Sequence, residues 1–334
     1  MASGPLHAAE LPLKVIHRIA VSGAAPVTGI GFDVSGAHAY VATGNAVDAF
    51  NVASFRPAGT LQLPAVAAAM AIDPSNGNGY AAIAAPSELV VFQLYPLRIE
   101  STIPLHDGAP SSLHYASSER ALYVLSGASS SIARWDVANG KLTGRVHLSG
   151  TPGQMTTDAR GNLYVANAAD NAIDVVDGHD MKKLGAIPTR DCVGPTGLAM
   201  DPVGRRLFVA CRDGARTVID TDLGFTFESF QAGTPGSSQM TFAMHPFGAG
   251  GWRGAALSAG DNGELAALRM KSFVNYSDGG THALAGKAQA MALNASAGQL
   301  WLALARSPST KTDAGTPAGQ IELLVLTPSE GATP

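Results

Sequence analysis

The sequence predicts an all-β chain folded as a seven-bladed β-propeller of four-stranded antiparallel blades, closed by an N-terminal strand that completes the last blade. Three observations predict it: a repeat of about forty residues, short apolar segments punctuated by turn residues, and one unpaired strand-like segment ahead of the array. The repeat is clearest at Pro195–Asp201, a turn, Arg206–Cys211, a second turn, Thr217–Asp220, and Phe227–Phe230. Each segment has the length and β-favouring composition of a strand. The same frame returns as Gly29–Asp33 with Ala39–Ala42, Ala69–Asp73 with Gly79–Ala82, and Ser112–Tyr115 with Leu122–Leu125. It returns again as Gln154–Asp158 with Leu163–Ala166 and as Ala290–Asn294 with Leu300–Ala303. The second-strand aromatics Tyr40, Tyr80, Tyr123, Tyr164, Phe208 and Trp301 are separated by 40, 43, 41, 44 and 93 residues, the last gap being two periods.

A degenerate copy fills that double gap. Gln239–Met244 leads through a Gly-rich stretch, Phe247 to Gly254, into Ala255–Ser258 and Glu264–Leu268. Sheets of four strands that are apolar on both faces must stack, and radial stacking is the propeller solution. The seventh unit ends with Gln320–Leu326 as its third strand, and the leading segment Lys14–Val21 supplies the fourth. Pairing the two hides two edges that would otherwise invite association. The expected organisation is a disordered lead over 1–12, the propeller over 13–327 and a tail over 328–334.

Composition bounds the partners. The 334 residues carry 26 Asp and Glu against 22 Lys and Arg, a net charge of −4, with 14% charged residues. There is no basic footprint for a nucleic-acid backbone or an anionic membrane. No run approaches the apolar length of a membrane-spanning helix, so no membrane insertion is expected. Residues 1–12 lack the basic start and apolar core of an intact signal peptide.

Leu163–Asn167, Asp170–Asp177 and Leu184–Pro188 resemble the repeat signature of the YVTN-type bacterial β-propellers, the YncE-like repeat family. The resemblance runs from about Val15 to Leu326 and is strongest in the fourth unit. It implies a seven-bladed, WD40-like ring and often export, hence a periplasmic or secreted location. It implies no single chemistry, because one fold hosts many functions. Cys192 and Cys211, the only cysteines, flank the first hairpin of the fifth unit. Pairing Met200 opposite Leu207 sets Thr196 opposite Cys211 and leaves Cys192 one short loop away, which allows a bond or two buried thiols. The resemblance to exported propellers favours the bond, and with it an oxidising compartment.

With strands A to D running outward in each blade, the D-to-A connections and B-to-C turns gather at one face. The first residues of the A strands then ring the channel mouth. One level holds Thr28, Ala68, Ser111, Gly153, Thr196, Ser238 and Gln289; the next holds Gly29, Ala69, Ser112, Gln154, Gly197, Gln239 and Ala290. These levels offer hydroxyls and amides and contain no His, Asp or Glu, so no metal and no cofactor are expected. Thr28, Ser111, Gln154, Thr196, Gln239 and Gln289 are the expected ligand-binding residues at the mouth. Arg190 and Arg212, both at this end of the fifth unit, are expected to form an anion-binding spot beside it. His114, inside an A strand, is expected to be a hydrogen-bonded structural residue.

The function expected is a binding propeller of the bacterial envelope, a monomer that takes a small polar ligand or a protein loop at this mouth. The alternative is a lactonase- or lyase-like enzyme using His106, Asp107, Asp191 or His282 of the same face as acid and base. Asp170–Asn171, Asp213–Gly214 and Asp261–Asn262 fall at B-to-C turns, where turn geometry accounts for them. The long insertion Arg306–Gly319 also lies at a B-to-C turn and is a candidate lid.

Overall fold

The protein is described by a computed structural model over residues 11–21, 25–231, 235–246, 252–306 and 321–329. Residues 1–10 of the expected 1–12 lead, most of the 306–319 insertion and the end of the tail lie outside these residues, as do 247–251 of the Gly-rich stretch. The chain enters through β1 (Leu13–Val21). Blade 1 is β2 (Val27–Phe32), β3 (His38–Thr43), β4 (Ala46–Asn51) and β5 (Pro57–Gln62). Blade 2 is β6 (Ala67–Asp73), β7 (Asn78–Ile83), β8 (Glu88–Leu94) and β9 (Leu97–Pro104). Blade 3 is β10 (Ser112–Ala116), β11 (Ala121–Ser126), β12 (Ser131–Asp136) and β13 (Lys141–His147).

Blade 4 is β14 (Pro152–Thr157), β15 (Asn162–Asn167), β16 (Ala172–Asp177) and β17 (Lys182–Pro188). Blade 5 is β18 (Pro195–Asp201), β19 (Arg206–Cys211), β20 (Arg216–Asp220) and β21 (Phe225–Phe230). Blade 6 is β22 (Ser237–Met244), β23 (Gly254–Gly260), β24 (Glu264–Ser272) and β25 (Asn275–Ala283). Blade 7 is β26 (Gly286–Asn294), β27 (Gln299–Arg306) and β28 (Ile321–Pro328), with β1 as its outermost strand. The seven sheets, the degenerate sixth copy and the closing strand all match the sequence expectation.

The core is divided among the seven interfaces between blades, and the second-strand aromatics explain the repeat. Tyr40 packs against blade 2, Tyr80 against blade 3, Tyr123 against blade 4, Tyr164 against blade 5, Phe208 against blade 6 and Trp301 against blade 1. In blade 6 the position is Leu257, which fills the interface with blade 7. Burying such a ring contributes about 1.5–3 kcal/mol, and the phenols add directionality. Tyr40 donates to the Leu94 carbonyl of blade 2 at 3.2 Å and Tyr123 to the Gly178 carbonyl of blade 4 at 3.2 Å.

The Asp that ends most A strands is structural. Asp73, Asp158 and Asp201 accept from the amides of Ser75, Arg160 and Val203 at 3.0, 2.9 and 3.0 Å, making Asx turns into the second strand. Closure pairs Lys14 with Thr327 and Val21 with Ile321. Buried Glu322 of β28 accepts from Arg18 of β1 at 3.0 Å and from Arg306 of β27 at 2.8 Å, so one carboxylate joins three strands of the closing blade.

Candidate functional site

The first residues of the A strands do ring the channel mouth, and a shared backbone feature sets their geometry. In six blades the A-to-B ladder slips at this level, between Val27 and Gly29, Ala67 and Ala69, Pro152 and Met155, Pro195 and Gly197, Ser237 and Gln239, and Ala288 and Ala290. A bulge releases one residue from the ladder and turns it away from its partner strand. In blade 5 the released residue is Thr196. Pro195, not Thr196, therefore stands opposite Cys211, which corrects the register extrapolated from the far end of the hairpin.

A cavity of about 590 Å³ occupies the mouth. Thr28, Ser111, Gln154, Gln239 and Gln289 line it together with Ser112 and His114. Thr196, Arg190 and Arg212 are not in its lining. Thr196 instead turns its hydroxyl to the Ala210 carbonyl of its own blade, at 3.2 Å.

The three glutamines serve the ring as well as the cavity. The Gln154 Oε1 accepts from the Leu198 amide of blade 5 at 2.9 Å and the Met240 amide of blade 6 at 3.3 Å. Gln239 donates to the Gln289 carbonyl, and the Gln289 Oε1 accepts from the Val27 amide of blade 1 at 2.9 Å. A line of side-chain amides thus stitches blades 4, 5, 6, 7 and 1 at the inner edge. Blades 5 and 6 approach closely there: a Cβ added at Gly197 would lie 2.8 Å from the Gln239 carbonyl carbon. The opposite arc offers small side chains. Ser111 donates to the Leu125 carbonyl at 3.2 Å and accepts from the Gly127 amide at 3.1 Å. The Thr28 hydroxyl is buried without a protein partner.

His114 lines the cavity and packs into the wall between blades 3 and 4, beside the Tyr123 ring. Its Nε2 lies 3.0 Å from the Thr157 hydroxyl, and burial pulls the imidazole down to about 4. It is therefore a neutral hydrogen-bonding group at ordinary pH.

Cys192 and Cys211 form a disulfide with a Cα separation of 5.5 Å. Arg190 and Arg212 flank it, both are exposed, and neither has an ion-pair partner among the described residues. The Arg212 stem lies over Gly194. The acid and base candidates of the enzyme reading are not brought into one cluster. Asp107 is paired with Arg145 at 2.8 Å, while His282 lies on the outer strand of blade 6 opposite Leu265. Asp213 accepts from the Val193 and Ala215 amides as a turn residue. Among the described residues no three His, Cys, Asp or Glu side chains converge as metal ligands, and no helix is long and apolar enough to cross a membrane.

No protein-family model matches the sequence. A stretch of 145 residues, 40% of this chain, is 29% identical to the uncharacterized protein YncE of Escherichia coli O157:H7. The match spans 41% of that relative's own length. Among solved structures, the chain superposes on U3-55K with a TM-score of 0.73 at 10% identity, covering 94% of this chain and 98% of that one. The WD40 repeats of RRP9 give a TM-score of 0.73 at 11% identity, covering 96% and 99%. These two structures share the fold. The chain is a seven-bladed β-propeller whose sequence likeness is to the YncE-like propellers.

Proposed function

We propose that this propeller is a binding protein that takes a small uncharged polar ligand, or a polar loop of a partner protein, into the channel mouth on the D-to-A face. The single observation that supports it most is the 590 Å³ cavity, which gathers five of the eight residues expected from sequence. Its lining supplies hydroxyls, backbone edges and a neutral imidazole, a set suited to hydrogen bonding with no charge to neutralise. Arg190 and Arg212 form a separate anion spot on the rim, held near one another by the disulfide, where an acidic extension of the ligand would rest. The disulfide also supports an oxidising compartment, the periplasm or the exterior.

Native mass spectrometry of purified protein, followed by identification of any co-purified small molecule, tests the site. A bound neutral polar compound lost in a Ser112→Ala/Thr28→Val variant supports it. A ligand retained in that variant, or a strongly anionic ligand bound only through Arg190 and Arg212, moves the site away from the cavity.

A further inference from the structure

On the opposite face, where the A-to-B and C-to-D turns gather, blades 4 and 5 leave a second feature. A groove of about 280 Å³ runs between the outer strand of blade 4 and the C-to-D turn of blade 5. Leu184 stands on one side and Leu223 on the other, 60% and 69% exposed. Leu184 is released from the β16–β17 ladder, where Val175 pairs with Gly185 and Val176 with Lys183. Such a bulge re-aims a side chain, and here it holds a large apolar group in solvent. Cβ atoms added at Gly185 or Gly224 would meet nothing within 4 Å, so another main chain has room to approach both.

One end of the groove is charged in an unusual way. Asp222 accepts from Arg160 of blade 4 and Arg205 of blade 5, both at 2.8 Å. One carboxylate orienting two guanidiniums leaves a net positive charge, and each guanidinium keeps N–H groups for a further acceptor. Their side chains are 58% and 52% exposed. Arg205 also occupies a left-handed backbone position, φ 53°, where the equivalent turns of blades 2 and 7 place Gly77 and Gly298. A side chain there costs about 1 kcal/mol. The Thr221 amide and hydroxyl fix its carbonyl at 3.2 and 3.0 Å.

The geometry points to a docking groove for an extended, acidic segment of a partner protein, with an apolar side chain seated between Leu184 and Leu223 and an adjacent carboxylate on Arg160 and Arg205. Charge complementarity selects the acid, and the open glycines admit the backbone beside it. The groove accommodates one large side chain, which suits a peptide segment better than a folded surface. It lies on the face away from the channel mouth, so it stands whether or not the cavity binds a ligand.

Fluorescence anisotropy of the full chain against a panel of labelled octapeptides, with Asp or Glu next to Leu, Ile or Phe, tests this. Saturable binding is expected for part of the panel, at least tenfold weaker for Asn and Gln counterparts. The Arg160→Ala/Arg205→Ala variant is expected to lose at least tenfold, and Leu184→Ser, a change at an exposed site that leaves folding intact, a similar factor. Thr28→Val at the channel mouth, on the other face, is expected to leave peptide affinity unchanged. Absence of saturable binding across the panel overturns the inference, as does full retention by the arginine variant or saturation by octanoate alone.

Discussion

The two arcs of the channel mouth fill the same ring of A-strand starts in opposite ways. Through blades 4 to 7 and back to blade 1, Gln154, Gln239 and Gln289 turn their amides onto main-chain groups of neighbouring blades. Through blades 1 to 3 the same two levels carry Thr28 and Gly29, Ala68 and Ala69, and Ser111 and Ser112, and the space they leave belongs to the cavity. A long amide closes the gap between blades, and a short side chain leaves it for something else. Polarity at the mouth is therefore not a uniform measure of ligand affinity. On the proposed function the glutamines serve mainly cohesion, and Thr28, Ser112 and the neutral His114 are the lining left to meet a ligand.

The sharpest way to break this comparison is Gln154→Ala. It leaves the Leu198 and Met240 amides without their acceptor, and orphaned amides cost about 1–3 kcal/mol each. Urea denaturation should show a loss of about 3 kcal/mol; a loss below about 0.5 kcal/mol would mean the stitch is dispensable. Next comes pH. His114 is pulled from 6.5 to about 4 in the fold, so the unfolded chain binds its proton more readily. The stability it contributes is complete above pH 6.5 and falls away as pH drops toward 4, by up to about 3 kcal/mol. In His114→Gln that part of the pH profile should flatten, and an unchanged slope between pH 6.5 and 4 would assign the acid sensitivity elsewhere. The smallest effect is the most telling. Thr28→Val removes a buried hydroxyl that has no protein partner, so thermal stability should hold or rise by up to about 1 kcal/mol while ligand binding weakens. A clear drop in stability would show that the hydroxyl works for the fold, as the glutamines do.

The fold is legible because most copies repeat what their interface needs: a second-strand ring facing the next blade and an Asp that starts the turn. Blade 6 lacks both, with Leu257 for the ring and Ala243 for the acid, and was still recognisable from its alternation. The bulges were not legible. Counting back from Met200 opposite Leu207 gives the true register as far as Gly197 and fails at Thr196, because an extra residue leaves no mark in composition. Nor does a sequence say that Gln154 reaches a strand 86 positions away. The Arg160 and Arg205 pair lies on the face away from the A-strand starts, where no ring of aligned positions marks it. Its signal was present: Arg205 stands where copies two and seven carry glycine.

Joining β1 to β28 has a consequence for biogenesis. β1 must wait for β28 before it finds its partner, roughly 300 residues later in synthesis. Loop-closure entropy rises only logarithmically with that span, so the delay weighs on the rate of ring closure far more than on final stability. Six blades can assemble meanwhile, and sealing becomes the finishing step of the ring.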